Sequence, residues 1–154
     1  MFTSLLWGHA HISTPKAKIL IIDDDPDINN LFKLSLEHDD FQVDSYTDPV
    51  NALYYFKKCK YDLILLDLKI PQIDGIAMFY ALKNRDDKAI ICLTTADMFY
   101  LEQLKEKIPN IEKYIIYKPI LLRSLKDKIN ELVLEKRSNV TKNNDNIFQK
   151  NFIL

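Results

Sequence analysis

A chain of 154 residues with 47% hydrophobic and 28% charged side chains has ordinary soluble proportions, enough for one domain with its own core. Its 21 Lys and Arg against 22 Asp and Glu leave a net charge of −1, which excludes a global basic field for nucleic acid or an anionic membrane. No apolar run approaches the ~20 residues of a bilayer span.

Residues 1–17 contain Phe2, Leu5, Leu6 and Trp7 without a positive start, and the apolar run is too short for a signal peptide. They read as an extension, disordered or left over from cloning, with a docking segment as second choice. Residues 18–22 (K-I-L-I-I) form a β-branched apolar run, the mark of a strand buried on both faces. Asp23-Asp24-Asp25-Pro26 follows. Pro26 suits a first helical position with Asp25 as N-cap, so a helix starts at once. Ile28, Leu31, Phe32 and Ser35 or Leu36 mark its inner face, and it fades over residues 37–40. Phe41 and Val43 alternate with polar residues in a short edge-like strand.

Asp48-Pro49 repeats the cap-and-proline signal for a second helix, with Val50, Leu53, Tyr54 and Phe56 facing inward. Residues 63–66 are another unbroken apolar run, which meets Asp67, a bare carboxylate where the strand leaves the core. Pro71 and Asp74-Gly75 supply turn chemistry beside it. A third helix is expected over residues 76–84, with Phe79 and Leu82 inward, then a buried strand over 89–93 ending in Thr94-Thr95-Ala96. A fourth helix over 98–107 stops before Pro109. Its Phe99, Tyr100 and Leu101 cannot all face one core, so at least one is expected at the surface.

Residues 114–117 form a fifth strand, closed by Lys118-Pro119, and Leu121, Leu125, Ile129 and Leu132 then recur at helical spacing. Residues 138–151, rich in Asn and Lys, are expected to fray as a polar tail that ends in Phe152-Ile153-Leu154. The expected division is thus 1–17 extension, 18–137 domain and 138–154 tail. Cys59 and Cys92 lack metal or redox spacing and read as reduced thiols of a cytoplasmic protein. His9, His11 and His38 have no partner pattern and receive no role.

Five strands alternating with five helices imply an α/β fold, a doubly wound parallel sheet with helices on both faces. In such sheets the functional crevice lies at the carboxyl ends of the strands. The unusual residues all occur there: Asp23 and Asp24, Asp67, Thr94 and Thr95, and Lys118. Carboxylates gathered within a few ångströms repel one another unless a cation intervenes. Oxygen ligands without a full protein cage select Mg²⁺, which welcomes phosphate oxygens. Thr95 offers a hydroxyl and Lys118 a point charge for phosphoryl oxygens, and Asp67 is the natural nucleophile.

The segments I-L-I-I-D-D-D-P-D-I, D-L-I-L-L-D-L-K-I-P-Q-I-D-G, L-T-T-A and Y-K-P resemble the receiver domain of two-component response regulators, from about residue 18 to residue 137. The resemblance implies a flavodoxin-like sheet of order 2-1-3-4-5. It also implies that Asp67 accepts a phosphoryl group from a phosphohistidine on a sensor histidine kinase or phosphotransfer protein. Asp24 and Asp67 would bind Mg²⁺ directly, Asp23 largely through water, and the backbone carbonyl of Lys69 would complete the protein ligands. Thr95 and Lys118 would contact the phosphoryl oxygens, and the change would reach a protein partner at the face of the fourth helix, fifth strand and fifth helix.

Thr94 competes with Thr95 for the hydroxyl role; Ala96 after Thr95 matches the family pattern. Ile115 stands where the family often has an aromatic switch residue, with Tyr114 and Tyr117 close by. No second globular pattern follows Arg137, so a stand-alone switch is expected, signalling by protein contact or in a phosphorelay. It is expected to be a monomer or weak homodimer, with no direct nucleic-acid or membrane binding and no turnover enzymology. Two rivals remain. A Mg²⁺-dependent phosphohydrolase would want an acid where Lys69 stands, and a degenerate scaffold would not need Asp23, Asp24, Asp67 and Lys118 intact.

Overall fold

Five strands lie side by side in one all-parallel sheet of order β2-β1-β3-β4-β5, as expected. The computed structural model describes the backbone of residues 14–151 and the side chains of residues 14–141. Phe2, Leu5, Leu6, Trp7, His9 and His11 lie outside the described residues, as does Phe152-Ile153-Leu154. The elements alternate as β1 (Lys18–Ile22), α1 (Pro26–Glu37), β2 (Gln42–Tyr46), α2 (Pro49–Tyr55), β3 (Leu63–Asp67), α3 (Gly75–Arg85), β4 (Ile90–Thr95), α4 (Met98–Lys107), β5 (Ile115–Tyr117) and α5 (Leu122–Asn151). A short 3₁₀ turn, Ile111–Tyr114, precedes β5, so Tyr114 lies outside the strand.

Strand alternation sends successive side chains to opposite faces. Leu20, Ile22, Ile64, Leu66 and Leu93 pack under α2, α3 and α4, while Ile19, Ile21, Leu63, Leu65 and Cys92 pack under α1 and α5. Both faces are covered, which is why β1 and β3 read as unbroken apolar runs rather than alternating ones. Each fully buried Leu or Ile contributes about 1.5–3 kcal/mol. The register runs Ile22 to Leu66, Leu66 to Leu93 and Leu93 to Ile115, so the carboxyl ends finish level.

Asp25 and Asp48 cap α1 and α2 as expected, each accepting two backbone N–H groups ahead of a first-turn proline. The inner faces differ from expectation in three places. Leu31 is 45% exposed, and Asn29 takes the core position with Phe32 and Leu36; those three follow one helical stripe, spaced i, i+3, i+7, and Leu31 falls off it. On α2, Val50 and Tyr54 point outward while Pro49 and Ala52 are buried, because a helix of seven residues presents little more than one turn's contact to the sheet. Leu121 precedes α5 and is 72% exposed.

Helix α5 also continues through the stretch expected to fray, as far as Asn151. No Gly or Pro follows Pro119 to break it. At the other end of the domain, Lys16 N–H donates to Asp40 O and Gln42 N–H to Ala17 O, so residues 16 and 17 already belong to the packed structure. No described helix is long and apolar enough to cross a membrane.

The two thiols should separate cleanly. Burial pushes the Cys92 thiol up to about 12, whereas Cys59 is exposed, and only the thiolate reacts. At pH 8 a disulfide reagent should titrate Cys59 at once and Cys92 only on unfolding; two fast equivalents in native protein would contradict this packing.

Candidate functional site

The site is assembled from residues that the level strand ends deliver to one place. Asp67 is the last residue of β3 and is buried. Its Oδ1 accepts the Lys69 N–H at 3.0 Å, and its Oδ2 lies 2.5 Å from Lys118 Nζ. Asp23 follows β1 directly and is also buried; its Oδ1 accepts the Asp25 N–H at 3.0 Å and its Oδ2 lies 3.3 Å from the same Lys118 Nζ. Asp24, the most exposed of the three, brings a carboxylate oxygen into the group, and all three ligand atoms lie within 4.8 Å of one another.

Backbone bonds past the strands hold this arrangement: Leu68 N–H donates to Thr94 O at 3.0 Å, and Lys118 N–H donates to Thr95 O at 2.8 Å. Four of the expected residues, Asp23, Asp24, Asp67 and Lys118, therefore meet in one crevice.

The electrostatics explain the lysine. Burial pushes the Asp23 carboxyl above its ordinary value, against the opposing pull of the Asp25 N–H and Lys118. Burial would lower Lys118, but its hydrogen bond and charge attraction to Asp67, with help from Asp23, outweigh this and raise it. Three carboxylates and one ammonium still sum to −3 + 1 = −2, which one divalent cation neutralises. The spacing suits it. Octahedral Mg–O bonds of about 2.0–2.1 Å put ligand oxygens about 3–4 Å apart, and the three carboxylates here bring theirs within 4.8 Å of one another, close enough to share one ion.

Thr94 and Thr95 are both buried. Register sets Thr94 directly across from Asp67, while the Thr95 Oγ1 accepts the Asp97 N–H at 2.9 Å, at the N-cap of α4. The exposed Lys69 points its amide at Asp67. Ile115, at the position of the family's aromatic, is buried in the core, and Tyr114 packs half-buried against both core clusters. Beyond the crevice, Met98, Phe99, Tyr117 and Leu121 expose apolar surface on α4, on β5 and just before α5; Phe99 is 68% exposed.

Sequence reasoning missed Asn29, whose buried amide donates to Asp23 O and Tyr46 O. The available signal was an amide on an otherwise apolar helical stripe. It also missed the close approach of Gly75 to the Leu68 backbone, because a glycine after an aspartate reads as turn chemistry.

Residues 19–130 match the family described as "Response regulator receiver domain". Among curated relatives, the transcriptional regulatory protein PrrA of Mycobacterium leprae is 24% identical over 136 residues, covering 88% of this chain and 57% of the relative. The probable transcriptional regulator ycf27 of Porphyridium aerugineum is 31% identical over 134 residues, covering 84% and 53%. The chain thus spans about half the length of these relatives. Among solved structures, response regulator TrrA of Thermotoga maritima in complex with Mg²⁺-BeF has a TM-score of 0.62 and 27% identity, covering 75% of this chain and 97% of that one. A CheY-like receiver domain protein from Methanospirillum hungatei gives a TM-score of 0.65 at 24% identity, with 82% and 99% coverage.

Proposed function

The chain belongs to the response regulator receiver domain family, and on that premise we propose that it is a phospho-accepting switch of the cytoplasm. Asp67 takes the phosphoryl group from a phosphohistidine on a sensor histidine kinase or phosphotransfer protein. The observation that carries this reading is the gathering of Asp23, Asp24 and Asp67 around Lys118 at the level strand ends.

Asp24 and Asp67 would hold Mg²⁺ directly, with Asp23 acting through water and the Lys69 carbonyl as a further ligand. Once bound, the cation neutralises the acids and the incoming phosphoryl oxygens. An Asp67 carboxylate oxygen then forms the O–P bond as the donor's N–P bond breaks, and the donor imidazole leaves as the neutral ring after taking a proton. Lys118, freed from Asp67 Oδ2, follows the charge onto the phosphoryl oxygens. In this reading Thr95 supplies the hydroxyl, whose proton turns from its long donation to Asp97 O at 3.4 Å toward the phosphoryl group. Thr94, beside Asp67 in the ladder, is its competitor.

Output by protein contact is favoured by the exposed apolar side chains Phe99 on α4, Tyr117 on β5 and Leu121 just before α5, which lie close in the chain to Thr95 or Lys118 at the strand ends. The alternative is passing the phosphoryl group on in a relay.

The experiment is phosphorylation by acetyl phosphate, and by a panel of histidine kinases, with Mg²⁺ present. One base-labile, hydroxylamine-sensitive phosphoryl group per chain is expected, and beryllofluoride should shift the amide spectrum around the crevice. Repeated turnover of phosphomonoesters would instead make it a hydrolase, and no beryllofluoride response would leave a scaffold.

A further inference from the structure

Asn29 sits on the inner face of α1, 3% exposed, among Phe32 and Leu36. A buried amide left without partners is destabilising, so its place there needs a reason. Its Nδ2 donates to two backbone carbonyls, Asp23 O at 3.1 Å and Tyr46 O at 2.9 Å. The first carbonyl lies one residue past β1 and the second ends the neighbouring strand β2, and Asp23 N–H itself reaches Tyr46 O at 3.3 Å. Asn29 N–H also donates to Asp25 O at 2.9 Å. One residue therefore grips both ends of the turn that carries Asp24, at the carbonyl before it and at the residue after it.

We propose that Asn29 is a positioning residue for the acid cluster, holding the Asp23–Asp25 turn against strand β2 so that the carboxylates stay gathered before the cation arrives. The physical need is plain. Three carboxylates within 4.8 Å repel one another, and the cheapest relief is for the turn at the end of β1 to swing outward into solvent. The Asn29 amide opposes that movement without adding charge. It touches neither the cation nor the phosphoryl group, and acts only through the backbone that aims Asp23 and Asp24. The inference rests on the phospho-accepting reading above.

The test is a Mg²⁺ titration of ¹⁵N-labelled protein, read at the Asp24 and Asp67 amides, with the melting temperature measured alongside. Asn29→Leu keeps the branched shape and removes both side-chain donations. It should weaken Mg²⁺ binding about tenfold, the usual scale for residues that orient metal ligands, while acetyl phosphate labelling at saturating Mg²⁺ recovers the wild-type rate. Asn29→Ser, which keeps a hydroxyl donor, should fall between the two and carries the test if Asn29→Leu does not fold. Phe32→Leu, on the same buried stripe but without a bond to the turn, should lower the melting temperature and leave Mg²⁺ affinity unchanged.

Unchanged affinity in the Asn29 variants, or an equal loss in Phe32→Leu, would overturn the proposal and reduce Asn29 to a packing residue. Failure of the wild type to bind Mg²⁺ would sink the phospho-accepting reading itself, and this inference with it.

Discussion

Asp67→Asn should fold normally and accept no phosphoryl group from acetyl phosphate or any kinase, a loss of at least ~10³-fold, as removal of a covalent nucleophile commonly gives. The amide has the carboxylate's shape, so its oxygen can still accept the Lys69 N–H that Asp67 Oδ1 accepts at 3.0 Å. What disappears is the nucleophilic oxygen and the charge facing Lys118 at 2.5 Å. The lysine keeps only Asp23, at 3.3 Å.

That predicts a second, independent signature. A lysine raised by its partners contributes stability below its unfolded value, near 10.5, and loses that contribution as pH climbs through the folded value. Asp67 is the principal partner doing the raising. Asp67→Asn should therefore move the alkaline unfolding limb to lower pH while leaving the neutral fold intact. Wild-type labelling of Asp67→Asn would show that another residue is the acceptor, and an unmoved alkaline limb would show that the lysine is not held by Asp67 in solution.

The parts of this protein that were legible in its sequence are those whose causes are local. Asp25-Pro26 and Asp48-Pro49 announce helix starts because the cap bonds reach only two or three residues ahead. Apolar runs at residues 18–22 and 63–66 announce doubly covered strands, and from these the parallel sheet and the convergence of Asp23, Asp24, Asp67 and Lys118 follow.

What escaped depends on partners distant in the chain. Asn29 is buried because Tyr46, 17 residues on, offers a carbonyl. Asp86 is buried because it accepts amides from both Cys59 and Lys88. Leu31, Val50 and Tyr54 look like core residues to any local count, yet each falls outside the stripe that the sheet can reach. The choice between Thr94 and Thr95 is of the same kind: neighbours in sequence are nearly equivalent, but register aligns one with Asp67 and an N-cap engages the other.

Gly75→Ala should destabilise the domain by about 1–3 kcal/mol, the usual scale of overpacking, and weaken the site with it. Gly75 is not needed for a left-handed backbone, since its φ is not positive. It opens α3 behind the Asp74 N-cap, where a Cβ would stand 2.1 Å from Leu68 O and 2.6 Å from Leu68 C and Cα. These are backbone atoms and cannot rotate away as a side chain could. Alanine's helix advantage over glycine is at most about 1 kcal/mol, so the clash wins.

Relief requires moving either α3 or the Leu68-Lys69 backbone, and the second route disturbs the Lys69 N–H bond to Asp67 together with the carbonyl proposed to ligate Mg²⁺. The melting temperature should fall by about 2–4 °C per kcal/mol for a chain of this length, and Mg²⁺ affinity should drop in parallel. A variant as stable as wild type with weakened Mg²⁺ binding would mean that the loop yields. Lost stability with intact binding would mean that α3 yields, and a more stable variant with intact binding would contradict the close approach itself.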